Sequence, residues 1–119
     1  MLDAFSLSGV REPGTRQDER VLGWTTIRIA GDSMLPATGP GDWWLVRRTT
    51  KVRPGELVAF WHPQRIDLLV VKRAVERRPG GWWVLGDNPA RSDDSRQFGA
   101  VPVECVLGVP RVRYRRGPA

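Results

Sequence analysis

Ser33 and Lys72 are the two residues of this chain whose types could do chemistry together. Ser33 lies in Gly31-Asp32-Ser33-Met34-Leu35-Pro36. Lys72 lies in the apolar run Leu68-Leu69-Val70-Val71-Lys72-Arg73-Ala74-Val75, which reads as a buried strand. The chain has seventeen arginines and two lysines, so where charge alone is wanted it uses Arg. A lysine inside an apolar strand points to a need for an amine that can lose its proton. Arg cannot do so, whereas a desolvated Lys can. A serine hydroxyl beside a neutral amine is a nucleophile beside a general base, a pairing suited to peptide hydrolysis. A GC-rich genome would also produce an Arg-heavy composition, so the surrounding motifs have to carry the argument.

The elements that must position this pair are short, β-branched and bounded by Gly, Pro, Asn or Asp. Strands are predicted over Thr25–Ile29, Asp42–Val46, Glu56–Trp61, Leu68–Glu76, Trp82–Leu85 and Val106–Tyr114. Gly80-Gly81 makes a tight turn, Gly86–Gly99 reads as a polar loop, and one helical turn is expected at Pro102-Val103-Glu104. Helical periodicity never persists beyond a turn or two. The expected fold is mainly β, a small coiled antiparallel sheet or partly open barrel. With 119 residues the chain is expected to be a leader over 1–22, one domain over 23–115 and a tail over 116–119.

Composition narrows the function. The net charge of +6 comes from arginine and admits nucleic acid, an anionic membrane surface or an acidic substrate as partner. No apolar stretch approaches the length of a membrane span, and the first twenty residues lack a signal-peptide core. A soluble, cytoplasmic location is expected, with contact to a membrane surface as a secondary expectation. The single cysteine, Cys105, cannot form an intrachain disulfide, and His62 is the single histidine, so neither a metal nor a cofactor is expected.

Four segments in order resemble the type I signal peptidases and their LexA-like relatives. They are Gly31-Asp32-Ser33-Met34-Leu35-Pro36, Gly41-Asp42-Trp43-Trp44-Leu45-Val46, Val70-Val71-Lys72-Arg73-Ala74-Val75, and the run from Gly86-Asp87-Asn88-Pro89 through Ser92-Asp93-Asp94-Ser95-Arg96 to Gly99. The resemblance spans roughly residues 27–113. It implies a serine endopeptidase in which Ser33 attacks and Lys72 is the base. It further implies that Ser92 orients the amine, that Asp94 and Arg96 pair to hold the loop, and that Asp87 and Asn88 are scaffold. The Ser33 backbone N–H would serve the oxyanion. Gly31 stands where some signal peptidases carry a second, serine donor.

With no large insert between Lys72 and Gly86, the chain most resembles the branch that matures nickel-type superoxide dismutase. That resemblance implies a protein precursor with an N-terminal propeptide as substrate, and no nucleic acid. The alternatives are signal-peptidase-like processing of secretory precursors and a non-enzymatic Arg-rich β-domain for RNA or anionic lipid. A LexA-like self-cleaving domain is a weaker alternative, because the leader has no Ala-Gly or Cys-Gly site.

Plainer roles stand beside the chemical ones. Ser33 could be a turn serine and Lys72 a solvated strand residue. His62 beside Pro63 could serve as a base, but a lone histidine at a strand end is more often structural. Cys105 reads as a small apolar residue. In Trp43-Trp44 and Trp82-Trp83 adjacent side chains point to opposite faces, so one of each pair is expected in the core. The cluster Arg111–Arg116 reads chiefly as a solvated face.

Overall fold

The computed structural model describes residues 4–6 and 23–118. Its strands are β1 (Ala4–Ser6), β2 (Trp24–Ile29), β3 (Trp43–Arg48), β4 (Leu57–His62), β5 (Arg65–Arg78), β6 (Gly81–Leu85) and β7 (Val106–Arg115). Among the described residues they are joined by a four-residue helix, α1 (Ser95–Phe98), and two three-residue 3-10 turns, Pro89–Arg91 and Val103–Cys105. The fold is mainly β, as its short bounded runs require.

The strands form one antiparallel sheet in the order β1-β2-β3-β7-β4-β5-β6. β1 also meets β5 through Ala4 and Leu69, so the sheet coils back on itself as a partly open barrel. β4 and β5 are apolar on both faces because both faces are covered. Leu57, Ala59, Leu69 and Val71 join Ile27, Ile29, Met34 and Val46 in one core cluster. Val58, Phe60, Val70 and Ala74 join Trp82, Val84 and Val101 in the other. Lys72 lies between Val70 and Ala74 on the same face of β5 and is fully buried.

Three readings of the sequence need correction. Ala4–Ser6, inside the expected leader, pairs with Ile27–Ile29 of β2, while the rest of that leader lies outside the described residues. Three residues are too few to display a period, and their order comes from the neighbouring strands. The loop over 86–99 contains α1, started by a capping box. The Asp94 side chain accepts from the Arg96 N–H, and Gln97 Oε1 accepts from the Asp94 N–H at 2.9 Å. β5 is longer than its apolar run because its polar ends pair in hairpins with β4 and β6. The β5–β6 turn needs glycine: Gly81 has φ of 140°, and a Cβ there would meet the Val101 carbonyl oxygen at 1.9 Å.

Candidate active site

Ser33 is delivered by the loop that leaves β2 at Ile29 and reaches β3 at Trp43. Gly31 forms part of the bend that opens it, and Met34 anchors it in the core. Two short-range bonds shape the turn: Leu35 N–H donates to Asp32 O at 3.3 Å, and Thr38 N–H to Met34 O at 3.1 Å. The loop from Gly86 onward clamps it from outside. Asn88 donates its backbone N–H to Ser33 O at 2.8 Å and its side-chain amide to Asp32 O at 3.0 Å. Arg91 pairs with Asp32 at 3.2 Å. The two carbonyls flanking the Ser33 backbone are therefore fixed before any substrate arrives.

β5 brings Lys72 to this loop. Lys72 Nζ lies 2.8 Å from Ser33 Oγ, across 39 residues of sequence. The amine is fully buried and Ser33 is 4% exposed. A buried hydroxyl at hydrogen-bond distance from a buried amine is the geometry that proton transfer from a nucleophile requires.

Asp94 organises the far side of the clamp. Its carboxylate is fully buried and accepts from Arg96 Nε at 2.9 Å, Gly86 N–H at 2.9 Å and the Ser92 hydroxyl at 2.8 Å. Burial alone would raise its pKa. The hydrogen bonds from Arg96, Gly86 and Ser92 outweigh that and hold it below the ordinary carboxylate value. Ser92 thus spends its proton on Asp94, and its oxygen packs directly on Gly86. A Cβ at Gly86 would meet Ser92 Oγ at 2.2 Å and Ser33 O at 2.9 Å. The glycine lets Ser92 and the Ser33 backbone carbonyl crowd one point.

Asp87 accepts from Arg73 Nε at 3.2 Å, and its own N–H points at Met34 Sδ at 3.4 Å. Arg73, the residue after Lys72, thereby ties β5 to the clamp. Neither Arg73 nor Asp32 stands out in the sequence by itself. The signal for Arg73 was its place in Lys72-Arg73. Asp32 had none, because its partner Arg91 stands 59 positions away.

His62 is held elsewhere. Its Nδ1 accepts from the Gln64 N–H at 3.0 Å, Nε2 lies 3.4 Å from Asp93 Oδ2, and its ring packs on Phe98 with centroids 4.6 Å apart. Cys105 is half-buried against the second core cluster, and burial raises its thiol pKa. Among the described residues no helix is long and apolar enough to cross a membrane.

The family model described as Peptidase S24-like matches residues 22–102, which contain the loop of Ser33, the strand of Lys72 and the whole clamp. The chain belongs to the Peptidase S24-like family. Its activity class is that of a serine protease of the LexA/signal peptidase type. The Peptidase S24-like match stops at residue 102, short of β7, so the strand that carries most of the C-terminal arginines lies beyond it. No curated protein matches this chain.

Proposed function

We infer that this protein is a serine endopeptidase in which Ser33 is the nucleophile and Lys72 the general base. Its substrate is the precursor of a nickel-type superoxide dismutase, from which it removes the N-terminal propeptide. The observation that carries the catalytic reading is the 2.8 Å approach of Lys72 Nζ to Ser33 Oγ in a buried site. The substrate reading is supported by the resemblance of the compact chain, with Gly81-Trp82-Trp83-Val84-Leu85-Gly86-Asp87-Asn88-Pro89 and no large insert between Lys72 and Gly86, to that branch.

In this mechanism the Ser33 hydroxyl attacks the scissile carbonyl as Lys72 Nζ accepts its proton. The Ser33 backbone N–H stabilises the oxyanion. Lys72 then returns the proton to the leaving amine, and water hydrolyses the acyl-enzyme. The Asn88 bonds to Asp32 O and Ser33 O keep the nucleophile aimed, and Asp94 holds Ser92 and Gly86 beneath it.

The test uses a blocked peptide spanning a nickel superoxide dismutase propeptide junction. Ser33→Ala should lower turnover on the order of 10⁴-fold or more while leaving the circular dichroism spectrum unchanged. Lys72→Arg should be comparably inactive although it keeps the charge, because Arg does not accept the proton. Substantial turnover by Lys72→Arg would end the serine–lysine mechanism. Equal cleavage of a secretory-precursor peptide with small residues before the cut would transfer the substrate assignment to signal-peptidase-like processing. Salt-sensitive RNA or lipid binding that is indifferent to Ser33, with no cleavage, would replace the enzyme reading altogether.

A further inference from the structure

An open cavity of about 500 Å³ lies where the Ser33 loop meets the C-terminal end of the chain. Leu35, Pro36 and Pro118 give it apolar walls, and Asp42, Arg113 and Arg116 give it charge. Leu35 and Pro36 follow Ser33 by two and three residues, so their Cα atoms lie within roughly 8–11 Å of its own. An extended peptide advances about 3.3 Å per residue, so a substrate at Ser33 reaches this cavity within about four residues of the scissile bond.

The charges in the cavity are unequal. Asp42 is nearly buried, and its carboxylate accepts from the Thr38 hydroxyl at 2.7 Å, Gly39 N–H at 2.9 Å and Gly117 N–H at 2.8 Å. Arg113 donates to Ala37 O at 2.9 Å and lies 3.5 Å from Asp42, so it is engaged with the wall. Arg116 is exposed, and no ion pair engages it among the described residues. With the Asp42 charge taken up by its donors, the cavity presents one uncommitted guanidinium above an apolar floor.

We propose that this cavity is a substrate subsite for an acidic side chain, with Arg116 as its specificity-determining residue. It rests on the peptidase reading. A glutamate or aspartate lays its methylene stem on Leu35, Pro36 and Pro118, and its carboxylate takes two parallel N–H donors from the planar guanidinium. A lysine at the same position meets like charge, and Asp42, the one carboxylate among the lining residues, is already bonded. The +6 net charge favours approach of an acidic segment as well.

The experiment uses the full chain and end-blocked peptides across the propeptide junction. One residue at a time, up to four from the scissile bond on either side, is replaced by Glu or by Lys. kcat/KM is measured for the unaltered protein, Arg116→Ala and Arg116→Glu. At one position the unaltered protein should prefer Glu over Lys about tenfold, Arg116→Ala should lose most of that ratio, and Arg116→Glu should invert it. An identical Glu/Lys ratio in the unaltered and Arg116→Glu proteins at every position overturns the proposal while leaving the peptidase reading intact. Binding of the same peptides, read by fluorescence anisotropy on Ser33→Ala with and without Arg116→Glu, separates the opposite failure. A Glu preference that inverts with Arg116, without any cleavage above the Ser33→Ala background, supports the subsite and removes the peptidase. Charge-blind binding together with charge-blind cleavage overturns the subsite.

Discussion

Asp94 and Asp42 both bear on the segment that carries Ser33, and both are buried carboxylates surrounded by donors, but the donors come from different distances along the chain. Asp94 takes an arginine and a hydroxyl from positions two residues away on either side, plus its helix cap and the Gly86 N–H eight residues back. Asp42 takes Thr38 and Gly39 from nearby, but Gly117 and Arg113 from more than seventy residues on. The first network makes a stiff local clamp under Ser33. The second fastens the C-terminal end of the chain to the outer side of the same loop. The difference teaches that the Asp94 clamp takes its shape within one compact loop, while the cavity wall beside the Ser33 loop depends on long-range closure.

The sharpest way to break the local clamp is through the glycine it closes on. Gly86→Ala would drive a Cβ into Ser92 Oγ at 2.2 Å and Ser33 O at 2.9 Å, and the backbone carbonyl cannot swing aside as a side chain can. The Ser33 loop must shift, and a displacement near 1 Å at a reacting group costs about 100-fold in rate. Gly86→Ala is therefore expected to lose about 100-fold in kcat. Adding Ser92→Gly, which removes the nearer obstacle, should restore part of it. No restoration would mean that the Ser33 carbonyl alone sets the limit. Full activity in Gly86→Ala would contradict the crowding altogether.

The two aspartates themselves give the next comparison. Asp94→Asn keeps the shape but removes the charge that Arg96, Gly86 and Ser92 converge on, and it presents an NH₂ group to some of those donors. Hydrogen bonds to a charged group contribute more than neutral ones, so a loss of about 2–3 kcal/mol in denaturant unfolding is expected, with loss of activity. Asp42→Asn should cost about 1–2 kcal/mol, because one of its donors is a long contact at 3.5 Å and its environment is less completely closed. It should disturb substrate affinity more than turnover. Equal destabilisation, or a larger turnover defect from Asp42→Asn, would reverse the assignment of roles.

How much of this was legible in the sequence follows the same division by distance. The serine–lysine pair could be read because a lysine among Leu69, Val70, Val71 and Ala74 contradicts its surroundings, and such a contradiction is a local signal. The strands could be read because Gly and Pro punctuate β-branched runs. The link between Asp94 and Arg96 lies within one short motif. The clamp of Asn88 on Ser33, the pair of Asp32 with Arg91, and the seat of Gly117 on Asp42 depend on tertiary closure, and no period or motif encodes them. β1 was hidden for the same reason: three residues become a strand only because β2 and β5 offer them partners. α1 was legible in principle, since Asp94-Ser95-Arg96-Gln97 is an acidic N-cap with a glutamine three residues on. Its four residues make barely one turn inside a polar loop, too short for a helical period to show.

The smallest expected effect is on the pH dependence of stability, and both carboxylates contribute to it with the same sign. Both are held below their ordinary pKa in the folded protein: burial opposes ionisation in each, but the donors win. A carboxyl whose folded pKa lies below its unfolded value binds fewer protons folded than unfolded. Its stabilisation is complete above the unfolded value near pH 4 and drains away as the pH falls through the folded value. At neutral pH neither aspartate should make stability depend on pH. Below about pH 4 the melting temperature should fall, and the fall should be shallower in Asp94→Asn and in Asp42→Asn, because each has lost one such group. If each aspartate titrates through its own set of donors, the two reductions should add, since the networks share no residue. Thermal melts of the unaltered protein, both single variants and the double variant from pH 7 to pH 2.5 check this. A double variant as acid-sensitive as the unaltered protein would mean that other carboxyls, and not these two, govern acid unfolding.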